Sequence, residues 1–171
     1  ILIDRKNDRM VVTDGHRATI LKKPDFSSVP KVPEKITGDQ ILKDDGTWID
    51  GKYPDIDRII PESHSDNKLQ FNTKDLSDYA RGIEKANKFL QSSDSFNTNY
   101  GEYDAKFVRQ MGDLFRRFGY KEVTISLTDG KLLVTSPDGR LTHIIMGLRN
   151  SNPVFKKFGQ LFKVEKAKGA R

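Results

Sequence analysis

Extended apolar runs joined by very short turns need residues that accept unusual backbone angles, and the last third of this chain supplies them twice. Glu122 to Leu127, Lys131 to Ser136 and Leu141 to Leu148 are rich in Val, Ile, Leu and Thr, and the breaks between them read Thr128-Asp129-Gly130 and Pro137-Asp138-Gly139. Such Asp-Gly turns close hairpins, because Gly takes a positive φ at no steric cost. A meander of three antiparallel strands is therefore expected. Just before it, Asp104 to Phe118 reads as a helix with Phe107, Met111, Leu114, Phe115 and Phe118 inward and Gly119 as its stop. An earlier helix, Lys74 to Leu90, is expected to be capped by Thr73 and to bury Leu76, Tyr79, Ile83, Ala86 and Leu90. Leu69-Gln70-Phe71 reads as a strand ahead of it. Two helices packed on antiparallel strands place the chain in the α+β class.

The first half is strand-like and then irregular. Ile1-Leu2-Ile3 and Met10-Val11-Val12 flank a polar turn, and Ala18 to Leu21 continues as a third extended piece after Asp14-Gly15. Residues 22–47 carry Pro24, Pro30 and Pro33, many Lys and Asp, and a turn at Asp44-Asp45-Gly46, so a long surface loop is expected there. Trp48 and Ile49 form a short apolar piece leading to Pro54. The candidate edge strands are Ile1 to Asp4, Leu69 to Phe71 and Lys131 to Ser136. Ile1-Leu2-Ile3 has no blocking Pro or Lys, and is expected to pair with upstream chain or another subunit. The Pro-rich stretch is the poorer partner, because Pro donates no ladder hydrogen bond.

Length and composition narrow the classes. The 171 residues suit one large domain or two small ones. With 35% hydrophobic and 32% charged residues, a surface-rich soluble protein is expected. No apolar run approaches the roughly 18 residues that span a bilayer. Ile1 to Met10 does not read as a signal peptide. The sequence starts at Ile rather than Met, so upstream residues are left open. Cys is absent, which excludes disulfides and thiolate metal sites and is compatible with the cytoplasm. The net charge of +6 is concentrated at the end: residues 150–171 hold six basic residues against Glu165 alone, a local +5 that leaves +1 for everything before. Within that tail, Asn152-Pro153 is a helix start, and Phe155, Phe158 and Phe162 recur at helical spacing among lysines, interrupted by Gly159. A basic amphipathic tail is expected there.

Catalytic patterns are missing. His16, His64 and His143 fall on a turn, a loop and a strand, without a carboxylate at metal-ligand spacing. Asp44-Asp45-Gly46 lacks the other ligands of a calcium loop. Neither a phosphate-binding glycine loop nor a nucleophile elbow is present. A protein that is not an enzyme, with no cofactor and no metal, is expected.

Three separated segments remain: Val11-Val12-Thr13-Asp14-Gly15-His16-Arg17, Asp50-Gly51-Lys52-Tyr53-Pro54-Asp55-Ile56-Asp57-Arg58-Ile59-Ile60-Pro61, and His143-Ile144-Ile145-Met146-Gly147-Leu148-Arg149. In this order they resemble three landmarks of the bacterial β sliding clamp, the ring that tethers DNA polymerase III to its template. Ala18 and Gly147 depart from the family's usual Leu and Pro. The resemblance covers roughly residues 1 to 149 and implies one reduced clamp-like domain (1–21 hairpin, 22–61 loop and linker, 62–149 helix-strand part), with 150–171 as the tail. The helix and strands that the family places after the Gly-His-Arg turn are missing. Strands are also missing between the two helices, where only Gln91 to Tyr103 intervenes.

The resemblance further implies a peptide pocket formed by Thr13, Gly15, His16, Arg17, Pro54, Arg58, Ile59, Ile144 and Met146. A flexible, polarisable Met suits a site for varied partners. It implies helix contacts to DNA phosphates by Lys74, Arg81, Lys85, Lys88, Lys106, Arg109, Arg116 and Arg117, which would read no sequence. The implied partners are DNA polymerase or other clamp-binding proteins through Gln-Leu-Phe-type peptides, and double-stranded DNA. A homo-oligomer in the cytoplasm, acting in DNA replication or repair, follows as the expectation. A different class stays open: a non-ring adaptor or regulatory protein that holds nucleic acid by its basic tail.

Overall fold

Turn residues at both ends of the chain close the hairpins that build a single large sheet. The computed structural model describes residues 1–60, 68–90, 95–98, 101–128 and 130–148. The first hairpins are β1 (Leu2–Asp4), β2 (Arg9–Thr13) and β3 (Arg17–Lys22). Gly15, at φ +87°, makes the β2–β3 turn possible, and Asp14 Oδ1 accepts the His16 and Arg17 amides there. Two short strands follow, β4 (Ile41–Leu42) and β5 (Trp48–Ile49). Then come β6 (Lys68–Asn72), α1 (Thr73–Leu90), β7 (Ser95–Thr98), β8 (Gly101–Asp104) and α2 (Ala105–Arg117). The meander closes the fold as β9 (Glu122–Thr128), β10 (Lys131–Thr135) and β11 (Leu141–Met146).

The sheet runs β5-β4-β1-β2-β3-β11-β10-β9-β6, and β7 and β8 form a separate hairpin. Its seam is β3 against β11, antiparallel, with Leu21 opposite Leu141 and Arg17 opposite Ile145. Both strands contribute to the two cores: Ile20 and Ile144 on the linker side, Leu21, Leu141 and Ile145 on the helix side. Leu141 to Ile145 is buried without interruption, so β11 needs cover above and below. One cover is the helix layer. Val108, Met111 and Phe115 of α2 and Leu76 and Ala80 of α1 pack on Val123, Ile125, Leu132, Val134, Leu141 and Ile145. The other is the linker after β5, whose Ile56 is buried with Val11, Ile20 and Ile144, flanked by Tyr53, Ile59, Ile60 and Met146. Burying a side chain of this size contributes about 1.5–3 kcal/mol.

Several expectations are corrected. Asn72 rather than Thr73 caps α1: its Oδ1 accepts from the Lys74 and Asp75 amides, while the Thr73 hydroxyl donates to the Tyr120 and Lys121 carbonyls. The face of α1 turned inward holds Thr73, Leu76, Ser77 and Ala80; Tyr79 is 64% exposed and Ala86 is also exposed. Packing against α2 explains the rotation, because small residues at Ser77 and Gly112 let the helices approach. Phe118 caps α2 and stays 49% exposed.

The expected loop at 22–47 contributes β4, and the segment between the helices contributes the β7–β8 hairpin. Lys131 to Ser136 is no edge, since β10 lies between β9 and β11. The N-terminal strand finds its second partner inside the chain, not upstream or in another subunit. The Ile3 amide donates to Gln40 and the Leu42 amide to Ile1, so the Pro-rich stretch supplies the neighbour after all. Pro61, His64, Arg149 and the 150–171 tail lie outside the described residues.

Candidate functional site

Strand pairing alone brings two of the three motifs together. Because β3 pairs with β11, Ala18 sits opposite Ile144, and the His16 carbonyl accepts the Met146 amide. The third motif is laid across them by anchors at both ends. The Tyr53 amide donates to Asp39 at 2.6 Å, and its hydroxyl donates to the Val11 carbonyl at 3.1 Å. Arg9 then grips Asp57 with Nη1 at 2.6 Å and Nη2 at 3.0 Å, while its Nε binds Asp4 at 2.8 Å. A two-pronged guanidinium–carboxylate contact fixes direction as well as distance. Ile56, buried between the anchors, closes the linker onto the sheet.

The result is a cavity of about 200 Å³ lined by Thr13, Gly15, Arg17, Ala18, Pro54, Asp55, Ile56, Ile59, Ile144 and Met146. Its lining is mostly aliphatic, which suits an apolar side chain carried on an extended peptide. Gly15 lets backbone approach at the rim. Ala18 is fully buried, and its small size leaves room beneath a ligand.

Thr13, Gly15, Arg17, Pro54, Ile59, Ile144 and Met146 thus share one cavity, while two of the expected pocket residues do not. Arg58 projects away, its side chain 85% exposed and paired with Asp55 at 3.1 Å. His16 is exposed and lies against Phe107 of α2 instead, ring centroids 6.4 Å apart. Arg17 lines the cavity but its guanidinium is held elsewhere. It stacks 4.4 Å over Phe107, binds Asp14 at 2.9 Å and donates to Gln110. Burial alone would raise the Asp14 carboxyl; the His16 and Arg17 hydrogen bonds outweigh it and hold it below the usual carboxylate range. Sequence reasoning missed Asp55, Ile56 and Ala18 as lining residues. Ile56 was visible inside the linker motif, but nothing local says which side of an extended segment turns inward.

The helix cations are divided. Lys74, Arg81, Lys85 and Lys88 are exposed along one side of α1, and Lys106, Arg116 and Arg117 are exposed on α2. Arg109 belongs to the helix packing: its Nε binds Glu84 at 2.7 Å and its Nη1 meets Asp113 at 3.5 Å. Arg81 is paired with Asp78 and Arg116 with Asp113. Among the described residues no group of three metal-ligating side chains occurs, and no helix is long and apolar enough to cross a membrane.

Two helices packed on one antiparallel sheet of this topology, with a pocket between a hairpin tip, a linker and the strand β11, define a DNA-clamp-like α+β fold. The fold is that of the bacterial DNA polymerase III β sliding clamps. The DNA polymerase III subunit beta of Borrelia burgdorferi, solved in complex with a natural product, matches with a TM-score of 0.60 at 16% identity over 88% of this chain and 55% of its own. The Pseudomonas aeruginosa sliding clamp matches with a TM-score of 0.59 at 14% identity over 83% of this chain and 55% of its own. The Bartonella birtlesii clamp, solved bound to griselimycin, matches at 0.58 and 15% over 83% of this chain and 54% of its own. The chain therefore spans about half the length of these relatives in structure. No family model matches the sequence, and no curated protein does.

Proposed function

We propose that this chain is a clamp-type tether in DNA replication or repair that holds partner proteins by short Gln-Leu-Phe-type peptides. The observation that carries this is the convergence of three distant segments on one aliphatic cavity. A Leu or Phe side chain of the peptide enters between Ile59, Ile144 and Met146, and the backbone runs past Gly15. The activity is binding, without chemistry. Exposed lysines and arginines on α1 and α2 support a second element, sequence-independent contact with DNA phosphates. Arg109 is not among them, because Glu84 and Asp113 already occupy it.

The test is a fluorescence titration with a labelled Gln-Leu-x-Leu-Phe peptide. Met146→Ala removes apolar contact worth about 1–2 kcal/mol, so the affinity falls roughly 5- to 30-fold. Arg58→Ala changes it little, since Arg58 points to solvent. No binding at high micromolar peptide, or full affinity in Met146→Ala, refutes the pocket.

Assembly discriminates this from the non-ring adaptor. Among the described residues β6 pairs only with β9, which leaves its other edge open there, and its Leu69 and Phe71 are 49% and 39% exposed. Such an edge favours strand pairing between copies. A stable oligomer by mass in solution, lost in Phe71→Lys, supports the tether. A monomer whose DNA affinity falls steeply with salt and disappears without residues 150–171 supports the adaptor.

A further inference from the structure

The peptide cavity has a candidate occupant in the chain itself. We propose that Gln160-Leu161-Phe162 of the basic tail, residues outside the described structure, seats in the cavity and competes there with partner peptides. This rests on the peptide reading above and adds its regulation.

The cavity's chemistry narrows what can fill it. At about 200 Å³ it lies below the roughly 300–1,000 Å³ of sites that enclose whole small molecules, so it suits single side chains of an extended segment. Ile56, Ile59, Ile144 and Met146 supply apolar walls, and the guanidinium groups of Arg17 and Arg58 are paired with Asp14 and Asp55. Such walls accept a neutral aliphatic or aromatic side chain and penalise a charge. Leu161 and Phe162 offer two in succession, behind a Gln, as in the peptides of the reading above. Gly159, just ahead of them, interrupts the helical spacing of the phenylalanines and frees the backbone to extend.

The tether starts beside the cavity. Met146 lines it, and two residues further on the Gly147 amide donates to the Gly130 carbonyl and the Leu148 amide to that of Glu102. Leu148 is therefore within about 8 Å of Met146, two Cα steps of about 3.8 Å. From Leu148 to Gln160 the chain has 12 further steps. These reach up to about 40 Å when extended, several times the distance back. A tether of this length holds its peptide at an effective concentration on the order of 1 mM. Charge favours the same approach. Residues 39–60, which include the linker over the cavity, hold six carboxylates against Lys43, Lys52 and Arg58, a local −3, while the tail carries +5. Asp55 lies on the cavity wall and the Asp57 side chain is 65% exposed on the same linker. Lys163 and Lys166, just after Phe162, are drawn to that side.

The experiment compares the full chain with a Leu161→Ala, Phe162→Ala double variant. Both are titrated with the labelled Gln-Leu-x-Leu-Phe peptide, and the methyl signals of the three methionines are followed by NMR. For a tail segment with a Kd on the order of 100 µM, an effective concentration of about 1 mM leaves roughly one cavity in ten free, so the variant binds the peptide roughly tenfold more tightly. The Met146 methyl signal differs between the two forms. Met111, buried in the helix-side core, keeps its position and reports an intact fold. A synthetic segment covering residues 158–166, added to the variant, moves the Met146 signal back toward that of the full chain. Equal peptide affinity in the two forms overturns the tail's role and leaves the cavity reading standing, whereas no peptide binding by either form removes both. A change at Met111 in place of Met146 overturns the cavity as the docking place and puts the tail on the helix layer. A mass in solution of two chains, falling to one in the double variant, overturns docking within one chain.

Discussion

At Gly112 α2 packs against α1 with no room for a Cβ, and adding one methyl group there tests the packing that orients both cationic helix faces. A Cβ on Gly112 falls deep inside van der Waals contact of Ser77 Oγ, 3.0 Å from the Thr73 carbonyl oxygen and 3.3 Å from the Ser77 amide nitrogen. The Ser77 hydroxyl could rotate, at the loss of its 3.3 Å hydrogen bond to the Arg109 carbonyl. The Thr73 carbonyl belongs to backbone and cannot move alone, so α1 must retreat. Ala is the better helix former by about 1 kcal/mol. Overpacking of this kind costs about 1–3 kcal/mol, and the lost hydrogen bond about 1 kcal/mol more. Gly112→Ala is therefore expected to destabilise by about 1–3 kcal/mol, a fall in Tm of about 3–10 °C by calorimetry or circular dichroism for a chain of this size. Gly82 on α1 is the control, because a methyl added there meets no atom within 4 Å and its φ is not positive. Gly82→Ala should raise Tm slightly. Ser77→Ala combined with Gly112→Ala should recover at least half of the loss, because it removes the tightest contact. A Gly112→Ala protein as stable as the wild type would show that the helices have room to spare, and would refute the close-approach reasoning.

Two further outcomes follow from the electrostatics and the capping. His143 has its folded pKa lowered from 6.5 to about 4, so the unfolded chain takes up its proton first and stability declines as pH falls from about 6.5 toward 4. Asp57, held down chiefly by Arg9, and Asp4, whose burial is outweighed by Asn7 and Arg9, add stability that is present above about pH 4 and is lost below it. Thermal melts across pH should show both windows, with the lower one shallower in Arg9→Met; an unchanged acid limb would remove Arg9 as the linker's anchor. Asn72→Ala should cost about 1 kcal/mol in a denaturant melt, whereas a cap at Thr73 would leave it silent.

Local chemistry determined most of the elements. Asp-Gly turns, a helix stop at Gly119 and alternating β-branched residues do not depend on distant parts of the chain, so β2, β3, β9, β10, β11 and both helices were legible before any contact was known. The contents of the pocket motifs were legible too, and the cavity joins seven of the nine residues they suggested. What the tertiary structure decided was orientation. An apolar stripe on α1 could face inward through Tyr79 and Ala86 or through Ser77 and Ala80, and only the approach of Gly112 selects the second. Arg17 and Arg109 carry the same charge as Arg117, yet Glu84 reaches Arg109 only after folding, and folding lays Arg17, already paired with Asp14 in its own turn, over Phe107. The Pro-rich stretch has no pattern that announces β4, because two residues hold no periodicity; the unpaired edge of β1 calls it into the sheet. His143 reads as an ordinary strand residue, and its unsatisfied nitrogen exists only once β3, β11 and α2 close around it.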